Sequence, residues 1–158
     1  MKNLAEILNS LIIQSKTDNL KWSAYPKEFL DLRMKVSFGQ GVPARVTWIS
    51  FLAPEMRTSE GFYPVYLFYK KENKLILAYG ISETAEAKSS WPDEILNNKT
   101  KINEYLDNPP RYGDSFVFKS YTPSIKDNDV KYLNDDEQLI SDDMLKNNLT
   151  EIINYYKK

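Results

Sequence analysis

Two glycines flank one glutamine in Phe38-Gly39-Gln40-Gly41, in a chain with only five glycines. Glycine lets a backbone turn sharply or approach a ligand where a Cβ would clash. A nucleotide phosphate loop is the first chemistry this spacing suggests, but that loop is longer and ends in Lys-Ser/Thr ahead of a helix. Here the triplet lies between two apolar stretches with no such Lys. What remains is a hairpin turn, or a loop whose backbone presses on something large. The acidic residues come second. Glu72-Asn73-Lys74 spells Glu-x-Lys, and Asp93-Glu94 adds a pair. Metal-dependent phosphodiester cleavage needs carboxylates that converge. Glu72 falls at an expected hairpin tip. Asp93 opens an expected helix, where an acid favours the dipole in any case. Asp135-Asp136-Glu137 and Asp142-Asp143 suit helix starts for the same reason.

The chain has no Cys and no His. Thiol nucleophiles, disulfides, Cys/His zinc sites and Ser-His-Asp triads are therefore excluded. Acid–base work would fall to carboxylates, Lys or Tyr. Net charge is −1 over 158 residues, which carries no nucleic-acid signal by itself. The charge is unevenly spread, however. Residues 21–74 hold nine Lys/Arg against five Asp/Glu, and residues 122–145 hold two against seven. A locally basic face is compatible with an acidic total.

The positioning elements follow from periodicity. Leu4, Ile7, Leu8, Leu11 and Ile12 predict an amphipathic helix over about 3–16. KEFLDL reads as a short helical turn. RMKVSF and RVTWISFL read as strands on either side of the glycine loop, the second ended by Pro54. GFYPVYLFYK and KLILAYGIS form a third and a fourth strand, joined by the short link KKENK. Pro64 predicts an edge position or a bulge, since proline donates no ladder hydrogen bond. Trp91 to Leu106 reads as helix with Pro92 near its start, NPPRYGD as a rigid loop and SFVFKSY as a fifth strand. Residues 134–157 make one long helix or two short ones. The expected fold is one α+β domain over 1–158: a mostly antiparallel twisted sheet of about five strands, with N- and C-terminal helices. No stretch approaches the roughly 20 apolar residues of a membrane span. The start is too polar for a signal peptide, so the cytoplasm is the expected location and no membrane partner is implied.

Strand alternation puts Tyr63, Val65, Leu67 and Tyr69 on one face, and Phe62, Tyr66 and Phe68 on the other. One face must be core. A second ring-rich face is costly to leave wet, and base stacking is a use for it. Trp48 lies on the neighbouring strand, and Tyr112 sits in a loop.

LRMKVSFGQG, TWISFL, GFYPVYLFYKKENKLILAYGISET, Trp91 and RYGDSF together resemble the N-terminal DNA-binding domains of McrB-type subunits of modification-dependent (type IV) restriction systems. The likeness is near-continuous over about 32–91 and resumes around 111–121. It implies a reader of double-stranded DNA that flips a methylated cytosine, preceded by a purine, into a protein pocket. By this resemblance Trp48, Tyr63, Leu67 and Tyr112 line the pocket, and Gly39, Gln40 and Gly41 enter the duplex where the base departed. Gln40 stands where the resemblance leads one to expect Tyr; it can fill the gap and hydrogen-bond an orphaned guanine, but it stacks poorly. Lys35, Ser37, Arg45 and Arg57 flank the loop and strand as candidates for DNA-backbone contact. No catalytic residue, metal or cofactor is implied for this domain. A GTP- and Mg²⁺-dependent AAA+ motor, which recruits an McrC-type nuclease subunit, is implied beyond it. The rival readings are a base-flipping enzyme, nuclease or glycosylase, and a reader of a different modified base.

Overall fold

Asn3 starts the first helix: its Oδ1 accepts from the Glu6 N–H at 2.9 Å, and α1 runs Leu4–Ser15. Such a cap satisfies one of the amide donors that a helix start leaves orphaned. The structure, a computed structural model, describes residues 3–39, 41–53, 62–81, 91, 99–107, 109–127 and 129–156. Leu4, Ile7, Leu8, Leu11 and Ile12 are buried, as their spacing predicts. The other long helix, α3 (Asp142–Tyr156), follows Ser141, whose Oγ accepts from the Met144 N–H at 3.1 Å. Asp142 and Asp143 do fall in its first turn.

Between the helices the chain meanders through β1 (Glu28–Phe29), β2 (Leu32–Ser37), β3 (Val46–Leu52), β4 (Phe62–Tyr69), β5 (Lys74–Ile81), β6 (Phe116–Lys126), β7 (Asp129–Leu133) and β8 (Leu139–Ile140). A short helix α2 (Ile102–Tyr105) precedes β6. The eight strands lie in sequence order, each antiparallel to the next. β6 pairs with β5 through Phe116–Tyr121 and with β7 through Thr122–Lys126. A register shift opposite Leu77/Ala78 sits in the first of these ladders, where a bulge bends the strand.

The sheet therefore has eight strands rather than about five. KEFLDL is not a helical turn: Glu28 and Phe29 pair with Arg33 and Leu32 around Leu30 and Asp31, whose φ values are 51° and 66°. Two consecutive positive φ angles make the tight hairpin turn that matches strand twist. Asp135-Asp136-Glu137 lies in the β7–β8 turn, not at a helix start; Asn134 Oδ1 accepts from the Asp136 and Gln138 amides there. The helix expected over Trp91–Leu106 is reduced, among the described residues, to α2. Trp91 lies outside any helix, and Lys101 forms a bridge with Phe116. Expectations for Pro54, Pro92, Asp93 and Glu94 fall outside the described residues. Pro64 lies in an inner strand, but the β3–β4 ladder stops at Ser50↔Val65, one residue short of it. That placement removes the need for the missing N–H.

Register assigns the two faces. Thr47, Ile49 and Phe51 of β3 share a face with Tyr66 and Phe68 of β4. Both long helices cover that face: Ser15 Oγ lies 2.7 Å from Thr47 Oγ1 in the interior, and Asn148 Nδ2 donates to the Tyr121 hydroxyl at 2.7 Å. The second ring-rich face is not wet. On β4 it is covered too, with Tyr63 8% exposed and Val65, Leu67 and Tyr69 less so. The Tyr69 hydroxyl donates to the Arg111 carbonyl at 2.8 Å, which docks the loop before β6 onto this side.

Candidate functional site

Because Thr47 and Ile49 point toward the helices, Trp48 and Ser50 must point to the opposite face. Trp48 stands across from Leu67 on one side and Ser37 on the other. Ser50 stands between Val65 and Lys35. Tyr63 lies four residues before Leu67, roughly 13 Å along the strand, and opposite Gly80. A Cβ on Gly80 would lie 2.9 Å from Tyr63 Cε2 and 2.8 Å from Val65 Cγ1. The glycine thus lets the Tyr63 ring lie across the β5 backbone. Ser50 and Val65 form a floor with Trp48 at one end and Tyr63 at the other, and all of these but Trp48 are buried, so the floor is covered as it stands. Trp48 is half-buried, whereas Leu67 is wholly covered.

The floor is not uniformly apolar. Ser50 Oγ is buried and has no hydrogen-bond partner among the described residues. A buried unpaired hydroxyl costs about 1–3 kcal/mol, so it is rarely left without a use. Tyr112 sits in the loop before β6, at φ 63°, with the Arg111 guanidinium 4.8 Å over its ring. Its neighbour Arg111 is the residue held by Tyr69, two positions beyond Leu67 on the same face. Trp48, Tyr63 and Leu67 therefore share one face, and Tyr112 is delivered to its border.

The glycine loop starts at Phe38, which is buried with its ring 5.6 Å from that of Tyr25. The Ala44 N–H donates to the Phe38 carbonyl at 2.9 Å and closes the loop. Gly39 has φ 114°, and a Cβ there would collide with the Val42 carbonyl and lie 2.7 Å from Ala44 N. No other residue fits that position without rebuilding the loop. Val42, beyond Gly41, is 70% exposed. Gln40 and Arg57 lie outside the described residues.

The backbone candidates separate onto two sides of this loop. Lys35 and Ser37 line a cleft of about 450 Å³ together with Trp48. Arg45 lines a larger cleft of about 930 Å³ with Lys70 and Lys71, where Glu72 and Asp107 balance part of the charge. Among the described residues, no group of three or more acidic side chains gathers as a metal site would require.

Several tyrosines among the described residues have pKa values pushed upward. Burial raises Tyr121 to about 12, partly offset by its bond from Asn148. Burial also raises Tyr66, well above the ordinary phenol value. These phenols stay protonated at neutral pH, the state that packs and stacks rather than the one that abstracts protons.

Sequence reasoning missed Ser50, Val42 and Trp22. Ser50 was legible as a small polar residue two positions after Trp48 in an apolar run, hence on its face. Val42 had no periodic signal, and only the turn reveals its exposure. Trp22 lies in an irregular stretch and lines the Lys35 cleft at 55% exposure.

Comparison with known proteins places these features in a family. Residues 6–158 match the family model described as MrcB-like, N-terminal domain. Over 97 residues, 58% of this chain, the sequence is 40% identical to the Type IV methyl-directed restriction enzyme EcoKMcrB subunit of Escherichia coli strain K12. The matched region spans 21% of that relative's length. The chain belongs to the MrcB-like N-terminal domain family.

Proposed function

We propose that this domain binds double-stranded DNA carrying a modified cytosine, 5-methylcytosine or a close analogue, by drawing the base out of the stack onto the floor between Trp48 and Tyr63. The arrangement that carries the reading is the pair of rings on one face of the sheet, with the Ser50 hydroxyl, unpartnered among the described residues, between them. Family membership and the methyl-directed relative support it. Leu67 and Tyr112 complete the pocket walls. The loop from Gly39 to Gly41 enters the vacated duplex, with Gln40 toward the orphaned base and the exposed Val42 as an apolar wedge. Lys35, Ser37, Arg45 and Arg57 hold phosphates on either side.

The energetics close in outline. Extrusion costs a few kcal/mol. Base–aromatic stacking returns about 1–3 kcal/mol for each ring engaged. One buried methyl adds only about 0.8 kcal/mol, a several-fold preference. Stronger discrimination comes from the void that an unmodified cytosine leaves in a fitted pocket. Opening of the covered face to admit the base lets a polar edge of it satisfy Ser50 Oγ, which adds about 0.5–1.5 kcal/mol. Most raw affinity comes from phosphates and falls steeply with salt.

In the whole protein the domain acts as the targeting module of a type IV restriction system. A GTP- and Mg²⁺-dependent motor and an McrC-type nuclease subunit act downstream of it. The domain itself is a reader and not an enzyme. Competition binding between modified and plain duplexes tests this. Wild type should prefer modified DNA, and Trp48→Ala should erase the preference while leaving salt-sensitive binding to both. Equal wild-type affinity for the two duplexes, or an equal loss on both in Trp48→Ala, overturns the reading.

A further inference from the structure

The cleft on the β2 side of Trp48 has a chemistry of its own. Trp22, Lys27, Arg33, Lys35, Ser37 and Trp48 line it, and none of its described lining residues is acidic. Its volume of about 450 Å³ falls within the range of small-ligand sites, roughly 300–1,000 Å³. Lys27 and Lys35 are exposed. Arg33 is half-buried, with its guanidinium 3.5 Å from the Ala53 carbonyl.

Trp22 is held out, not left loose. Gln14 Nε2 donates to the Asn19 and Lys21 carbonyls at 3.0 and 2.6 Å, and its Oε1 accepts from the Tyr25 hydroxyl at 3.0 Å. The Tyr25 N–H donates to the Trp22 carbonyl at 3.1 Å. Tyr25 in turn packs on Phe38, the residue before Gly39. The stretch carrying Trp22 is thus anchored both to α1 and to the base of the glycine loop. An indole 55% exposed on an anchored stretch contributes little to packing where it stands.

The edge of β2 supplies a further polar group. β1 pairs only with Leu32 and Arg33, and the Met34 N–H turns away from β3 to the Lys27 carbonyl at 2.8 Å. By main-chain alternation the Val36 N–H and C=O also turn away from β3, toward the cleft.

We infer that this cleft is a second nucleotide subsite: it takes the nucleotide adjoining the flipped cytosine, with its phosphate among Lys27, Arg33 and Lys35 and its base laid on Trp22. Cations interleaved with a ring platform suit an unstacked nucleotide, which offers one negative charge and one π-face. A peptide strand on the same edge would have no use for the cations. The inference rests on the proposed flipping of a modified base, and it extends the footprint to a neighbour.

The test is an affinity cycle on duplexes containing one modified cytosine, with an abasic site at its 5′ or its 3′ neighbour. Trp22→Ala should weaken binding to the intact duplex about ten-fold. Trp22→Phe should retain most of the affinity. The modified-over-plain ratio should fall with the affinity in Trp22→Ala and hold in Trp22→Phe, because the subsite fills only when the cytosine leaves the stack. One of the two abasic duplexes should cost the wild type the same factor and cost Trp22→Ala nothing further. Two results overturn the subsite: Trp22→Ala binding within about two-fold of wild type, or abasic losses that are equal in wild type and variant. Should Trp22→Ala melt early, the abasic series on wild type decides alone, and no loss at either neighbour overturns the subsite. The underlying flipping reading fails separately, if wild type shows no preference for modified over plain duplex.

Discussion

Gly80→Ala should damage recognition from outside the pocket. The added Cβ would lie 2.7 Å from the Tyr63 carbonyl oxygen, 2.8 Å from Val65 Cγ1 and 2.9 Å from Tyr63 Cε2. Each distance is shorter than carbon makes in a relaxed interior, and the first atom is backbone, which cannot swing aside. The strand pair must part or the Tyr63 ring must leave its seat. Overpacking of this kind costs about 1–3 kcal/mol, or roughly 2–12 °C in melting temperature for a domain of this size. A displaced Tyr63 loses part of its stacking on the base, so the modified-over-plain ratio should fall roughly five-fold or more. Binding to plain DNA should persist, since no phosphate-contacting residue is touched. Thermal melting and competition binding on the same preparation read both effects. A variant that melts within about one degree of wild type and keeps its selectivity would refute the reasoning that Gly80 seats the ring.

Three further outcomes follow from particular atoms. Ser50→Ala removes a buried hydroxyl without a partner among the described residues; stability should hold or rise, while affinity for modified duplex should drop about two- to ten-fold, and a loss of stability instead would show the hydroxyl already satisfied within the fold. Tyr66→Phe should be neutral to stabilising in a denaturant titration, because the Tyr66 hydroxyl is also buried without a partner among the described residues. Raising the pH should leave stability flat up to about pH 10 as far as the tyrosines contribute, then reduce it. Burial holds Tyr121 at about 12 and pushes Tyr66 well above the ordinary phenol value. The unfolded phenols therefore lose their protons first, the unfolded state binds fewer protons, and stability falls from about pH 10 toward pH 12, with Tyr121 alone contributing about 2–3 kcal/mol of the loss. Urea melts at stepped pH values check the onset; a decline that begins near pH 8 would point to a different group.

The elements with strong periodicity were legible. The Leu4–Ile12 stripe gave α1, and alternation in TWISFL and YPVYLFY gave β3 and β4 with their faces. β1 escaped because it is two residues long and its turn puts Leu30 at positive φ, a conformation leucine rarely takes. β7 escaped because its alternation, Val130 and Tyr132 inward against Asp129 and Lys131 paired on the surface at 3.4 Å, spans only five residues, and β8 because it is two residues long. The covering of the second face was not legible either. It depends on the Tyr69–Arg111 bond, a contact across 42 residues that no local pattern encodes. Trp48 and Tyr63 were nameable from the sequence, but the groups between and beside them, Ser50 and Gly80, acquire meaning only from register.

The central claim is that a base leaves the duplex for the floor between Trp48 and Tyr63. A duplex with 2-aminopurine beside the modified cytosine tests it most directly, because the fluorescence of this base rises when its stacked neighbour departs. Saturating wild-type domain should raise the fluorescence strongly on modified duplex and weakly on plain duplex, and Trp48→Ala should suppress the rise. Full binding to modified duplex with no change in fluorescence would contradict the account.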